Sequence, residues 1–141
     1  MKKLILALLI STTSLFAQHA LADDALYQTL GQKTGLVALM DDFVPRLLAD
    51  PRMKPFFEKT NQVNFKQQLV DQLCQVSGGP CVYKGVDMKN AHSNFDINKG
   101  HFNALVEVLQ QSMDAQRIPF GAQNKLLAVL APMHRDVITI K

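Results

Sequence analysis

Apolar residues in this chain return at helical intervals, and almost nowhere at the every-second-residue spacing of a half-buried strand. Leu36, Leu39, Met40, Phe43 and Leu47 follow the i, i+3, i+4, i+7, i+11 stripe, and Asp50-Pro51 ends it. Phe65, Leu69 and Leu73, with Val70 and Val76 beside them, make a second helix stopped by Gly78-Gly79-Pro80. Phe102, Leu105, Val106, Leu109 and Met113 make a third, starting near Asn98. Leu126, Leu127, Leu130, Met133 and Val137 make a fourth, led in by Pro119. Short helices are expected over Asp24 to Leu30 and around Met88 to Ser93. The one β-like patch is Val137 to Lys141. The expectation is an all-α fold of four main helices, with no repeat and no internal linker.

The first 22 residues stand outside that pattern. Met1-Lys2-Lys3 is a basic start, Leu4 to Ile10 is unbroken apolar, and Ala20-Leu21-Ala22 has the small-x-small form of a cleavage site. This order reads as a secretory signal peptide over 1–22. The run is too short, and too soon interrupted by Ser11-Thr12-Thr13-Ser14, to span a bilayer. The mature domain would be 23–141, in the periplasm or outside the cell. A chain of this size buries roughly two-thirds of its unfolded surface. Removing Lys2 and Lys3 lowers the formal charge from +3 to +1, and no Lys/Arg cluster marks a phosphate-tracking face, so nucleic acid is not an expected partner. No later apolar run reaches the length of a membrane span.

Cys74 and Cys81 are the two cysteines. An even count in an exported chain favours a disulfide, with two structural thiols or a metal pair as competing readings. The bridge would close a short loop over Ser77-Gly78-Gly79-Pro80 and stabilise by about 2–3 kcal/mol in the chain-entropy model. The spacing is not that of a redox motif, and no CxxCH exists for covalent haem attachment.

The histidines beyond the leader are His92, His101 and His134. A lone histidine is more often a surface or satisfied core group than a ligand, and a helix C-terminus alone would account for His134. Asp41 and Asp42 are adjacent, so they face apart on a helix and make a poor acid–base pair. GxSxG, Walker, HExxH and EF-hand patterns are absent, which leaves hydrolase and nucleotide readings without residues. From Ser77 to Ile97 runs a long irregular connection, and such segments are usually functional or disordered. With Tyr83, Met88, His92 and Phe95 it does not have a disordered composition. A phenylalanine stripe taken alone reads as ordinary core.

One set of motifs says more. Leu26-Tyr27-x-x-Leu30-Gly31, Asp42-Phe43, Leu48-Ala49-Asp50-Pro51-Arg52 and Pro55-Phe56-Phe57 follow one another along the chain. Gly78-Gly79-Pro80, Tyr83-x-Gly85-x-x-Met88-Lys89-x-Ala91-His92, Ile97, Phe102 and Leu130-Ala131-Pro132 continue the series. In this order and spacing the chain resembles a group I truncated haemoglobin over nearly all of 25–138. The resemblance implies a two-over-two helical sandwich around one non-covalent haem b. It implies that His92 is the proximal iron ligand, a role that suits a neutral imidazole. Phe57 would pack on the haem face, Phe43, Met88, Phe102 and Val129 would form pocket walls, and Lys89 would reach a haem propionate.

The distal side departs from the family pattern. Where the family generally places a tyrosine, this chain has Val44 followed by Pro45. The positions on the second helix that would face the iron are Phe65, Gln68 and Leu69. Val44, Phe65 and Leu69 have no hydrogen-bond donor, Gln68 is directed to the haem edge, and Tyr27 has the place of a structural residue. An apolar distal wall favours neutral diatomic ligands and fast oxygen release. The reading is a monomer that binds oxygen, nitric oxide or carbon monoxide. A haem carrier or gas sensor, and a nitric oxide dioxygenase or weak peroxidase, are the alternatives; the reductase or haem-exchange partner is left open. No distal acid–base group supports peroxide cleavage.

Overall fold

The computed structural model describes residues 23–140, so the proposed signal peptide lies outside the described residues, as does Lys141. The elements in order are α1 (Ala25–Thr29), α2 (Gln32–Ala49), α3 (Lys54–Phe57), α4 (Gln62–Val76), α5 (Met88–His92), α6 (Lys99–Ala115), α7 (Phe120–Leu130), a 3₁₀ turn (Ala131–Met133) and α8 (His134–Val137). Among the described residues there is no strand.

Helix α2 is central and packs on both α4 and α6, while α7 lies against α6 and α1. The pairs α2–α4 and α6–α7 are the two layers. Their shared core takes the expected stripe of α2, with Leu36, Leu39 and Leu47 fully buried, together with Val70, Leu73 and Cys74 from α4, Val108 and Met113 from α6 and Leu126 from α7. Burying such a side chain is worth about 1.5–3 kcal/mol, so this cluster is the main source of stability.

Local signals set the helix ends. Asn61 caps α4 by accepting from the Asn64 N–H at 3.0 Å, and Asn98 caps α6 by accepting from the His101 N–H at 2.9 Å. Past the end of α4, Gly78 has φ +91°, and a Cβ there would sit on the Asp23 carbonyl. At Gly79 a Cβ would lie 2.7 Å from both the Cys74 sulfur and the Tyr27 ring. Only a double glycine lets the chain turn back this tightly against α1.

Two expectations require correction. The fourth main helix is not continuous to Val137: Pro132 has no N–H to donate, and α7 ends at Leu130 in the 3₁₀ turn before α8 resumes. His134 is the first residue of the four-residue α8 and therefore also lies in its last turn. The terminal β-like patch forms no strand; Val137 ends α8, and Thr139 and Ile140 hydrogen-bond to Ile97.

Candidate functional site

Helix α4 has two useful faces. Val70, Leu73 and Cys74 enter the core, whereas Phe65, Gln68, Leu69 and Gln72 share an adjoining stripe that is half-buried. Phe57 from α3 meets Phe65 with ring centroids 5.1 Å apart. Behind them Phe43 and Val44 of α2 are buried, at 4% and 6% exposure. On the α4 stripe the apolar Phe65 and Leu69 stand beside the amides of Gln68 and Gln72.

The facing element is α5. Its first turn is capped by Asp87, whose carboxylate accepts the Asn90 N–H at 2.9 Å and is held below the usual carboxylate range by that bond. Met88 and His92 lie one turn apart, both half-buried, and Lys89 is exposed. The His92 Nδ1 is 2.7 Å from the Met88 carbonyl oxygen. A carbonyl only accepts, so Nδ1 carries the proton and Nε2 presents a lone pair. A ring oriented by a backbone carbonyl through its other nitrogen is the usual condition of a metal-ligating histidine.

The two walls meet at Gln72, a residue the sequence reading missed. Its amide nitrogen lies 3.4 Å from the Met88 sulfur and 3.9 Å from the Met133 sulfur, joining α4, α5 and the 3₁₀ turn. Its spacing of seven from Phe65 was the available signal. Phe102 of α6 is half-buried and meets the His134 ring at 6.2 Å, edge to face. The His134 Nδ1–H donates to the Ala131 carbonyl at 2.9 Å. Val129 is 40% exposed, while Leu127 and Leu130 of the same helix pack on the core.

The connection before α5 is tied down at several points. Cys74 and Cys81 form a disulfide, so the alternatives of free thiols and a metal pair fall away. The Tyr83 N–H donates to the Gln75 side chain at 2.6 Å, and its hydroxyl donates to the Val86 carbonyl at 2.8 Å. Burial pushes that hydroxyl above the usual tyrosine range. Tyr27 is buried, with its backbone N–H donating to Ser77, and serves the core as expected.

The remaining titratable candidates have structural partners. Asp41 pairs with Lys66 and Asp42 with Arg46, so the adjacent carboxylates are held apart. His101 accepts the Asn98 N–H in the α6 capping box and meets Phe56 edge to face at 4.9 Å. Among the described residues no three His, Cys, Asp or Glu side chains group as a metal site.

A haem fits what is present. The porphyrin brings four nitrogen ligands of its own, so one side chain with a free lone pair completes the protein's share. Half-buried apolar side chains on both walls suit a flat apolar ring. A cavity of about 330 Å³ between α5 and the C-terminal segment is lined by Lys89, Ser93, Arg135, Asp136, Ile138 and Thr139, and of the expected haem residues only Lys89 borders it.

Comparison with known proteins agrees. Residues 25–139 match the family model for bacterial-like globins. The chain is 29% identical to the group 1 truncated hemoglobin of Tetrahymena pyriformis, over 80% of this chain and 93% of that one. It is 32% identical to the group 1 truncated hemoglobin GlbN of a Synechocystis strain, over 80% of this chain and 96% of that one. The crystal structure of the Tetrahymena pyriformis protein in its Fe(III) form superposes with a TM-score of 0.77 at 29% identity, covering 80% of this chain and 97% of that one.

Proposed function

The chain belongs to the bacterial-like globin family, as a group 1 truncated haemoglobin, and from that premise we propose that it holds one non-covalent haem b through His92. Haem-based binding of small gases goes with this family. Haem, when bound, supplies an iron that takes a diatomic gas as ligand. The observation that carries the assignment of His92 is its Nδ1–H···O=C bond to Met88, which fixes the tautomer and aims Nε2 away from the helix.

The other residues act around that nitrogen. Phe57, Phe65, Leu69, Met88 and Phe102 exclude water from the ring faces, with Phe43 and Val44 backing them and Gln68 towards the edge. Val129 becomes covered when the ring is in place, and Lys89 meets a carboxylate. Val44, Phe65 and Leu69 offer no donor to a polar ligand, so oxygen is released fast while carbon monoxide and nitric oxide bind without that handicap. The protein works after export, with cleavage near Ala22. The leader's order of basic, apolar and small residues supports this, and so does a disulfide, which persists in oxidising compartments.

The test is a titration of the protein with haemin, followed by absorption, beside His92→Ala. A sharp Soret band in the parent that weakens or shifts in the variant is expected. A parent that develops no such band overturns the haem reading, and one unaltered by His92→Ala overturns the ligand assignment.

A further inference from the structure

A five-residue helix is far below the length at which a helix holds itself in water. Helix α5 also buries none of its residues in the core, so its contacts with α8 and the bonds at its ends must fix it. At its start the Asp87 cap does so. At its end, where His92 sits, the chain leaves the helix and crosses residues 93–98 before α6 begins.

That crossing is held from the far end of the sequence. The Thr139 hydroxyl accepts the Ile97 N–H at 2.8 Å and donates to the Phe95 carbonyl. The backbone N–H groups of Thr139 and Ile140 converge on the Ile97 carbonyl at 2.9 and 3.0 Å. Ile97 is 7% exposed, so the joint has a buried anchor. The Phe95 N–H in turn donates to the His92 carbonyl at 3.1 Å. Two hydrogen bonds in series thus link the Thr139 hydroxyl to the His92 backbone, and α8, just before Thr139, is the element α5 packs on most.

We propose that Thr139 is a positioning residue: its hydroxyl clamps the segment after α5 and so sets how firmly His92 is presented to the haem. This rests on the reading of His92 as the haem ligand. Valine keeps the branched shape of threonine but removes both side-chain hydrogen bonds, whereas serine keeps the hydroxyl.

The haem-loaded full chain is compared with Thr139→Val and Thr139→Ser in three measurements. Haem transfer to an excess of apomyoglobin is expected to be roughly five- to tenfold faster in the valine variant, the size expected for losing about one net hydrogen bond. The iron–histidine stretching frequency of the ferrous protein shifts in the valine variant, and serine restores both quantities. In the haem-free protein, amide exchange at Phe95 and Ile97 rises with valine and not with serine. Unchanged haem transfer and frequency in the valine variant overturn the proposal, even if its melting temperature falls. Serine behaving like valine also overturns it. The failure of the ligand reading is told apart by His92→Ala leaving the Soret band unaltered, while amide exchange in the haem-free protein still reads the clamp directly.

Discussion

The two walls of the cleft are built by opposite means. The α2–α4 wall stands on the hydrophobic core: six residues of α2 are buried, and α4 inserts Val70, Leu73 and Cys74 beside them. The α5 wall has no fully buried residue and is held by its contacts with α8 together with a cap, a sulfur contact and a clamp at its ends. A wall set by packing cannot adjust to a ligand without disturbing the whole domain, because interiors are close-packed. A wall set by a few end contacts can shift by tenths of an ångström when a ring enters. The difference makes one side rigid and leaves the other adjustable.

The sharpest way to break this contrast is Leu39→Ala on the packed side. Leu39 is fully buried, so urea unfolding of the haem-free protein should show a loss of about 2–5 kcal/mol. A loss under 1 kcal/mol would mean that the distal wall does not stand on this core. Next comes Cys81→Ser, which releases the loop leading to α5 from α4. The expected loss is about 2–3 kcal/mol by the same measurement. Faster amide exchange should then extend from the released loop into α5 but not into α2; uniform loosening of both would erase the distinction between the walls.

On the distal side, Phe65→Gln adds a donor to a wall that has none at Val44, Phe65 or Leu69. One new hydrogen bond of about 1 kcal/mol corresponds to roughly five- to tenfold slower oxygen release by flash photolysis. Oxygen release unchanged in that variant would remove Phe65 from the ligand's surroundings. The smallest effect belongs to the α5 cap. The Asp87 carboxyl titrates below its unfolded value, so its contribution is present above about pH 3.9 and fades as pH falls through the lower folded value. Asp87→Ala should therefore speed exchange of the α5 amides at neutral pH. The parent should approach the variant only in strong acid, and a parent already matching it at pH 5 would dismiss the cap.

Much of this was legible in the sequence because it is local. The stripe Leu36, Leu39, Met40, Phe43, Leu47 lies on one face of any helix, and all five are buried, with Val44 beside them. Asn98, near which the third helix was expected to start, caps α6 within a turn of itself, and Gly78-Gly79 follows the end of α4 as expected. The Met88-Lys89-x-x-His92 run stood out only through the family resemblance; the structure adds that Met88 and His92 are one turn apart and that the Met88 carbonyl orients the ring. Pro132 was visible too, but its break was hidden by an apolar spacing that continues through Met133 and Val137 on both sides of it.

What the sequence by itself determined is the all-helical character and the apolar stripes of the long helices, and through the family resemblance the run that carries Met88 and His92; it did not show α3 or the break before α8. The disulfide expected from the cysteine count is formed, whereas the tertiary structure alone decided that Gln72 reaches Met88 and Met133 and that Thr139 takes hold of Ile97 from 42 residues away. Periodicity and capping are fixed by groups a few residues apart, whose geometry any helix dictates. A hydrogen bond between distant segments exists only once the core has brought them together, and no spacing in the chain announces it.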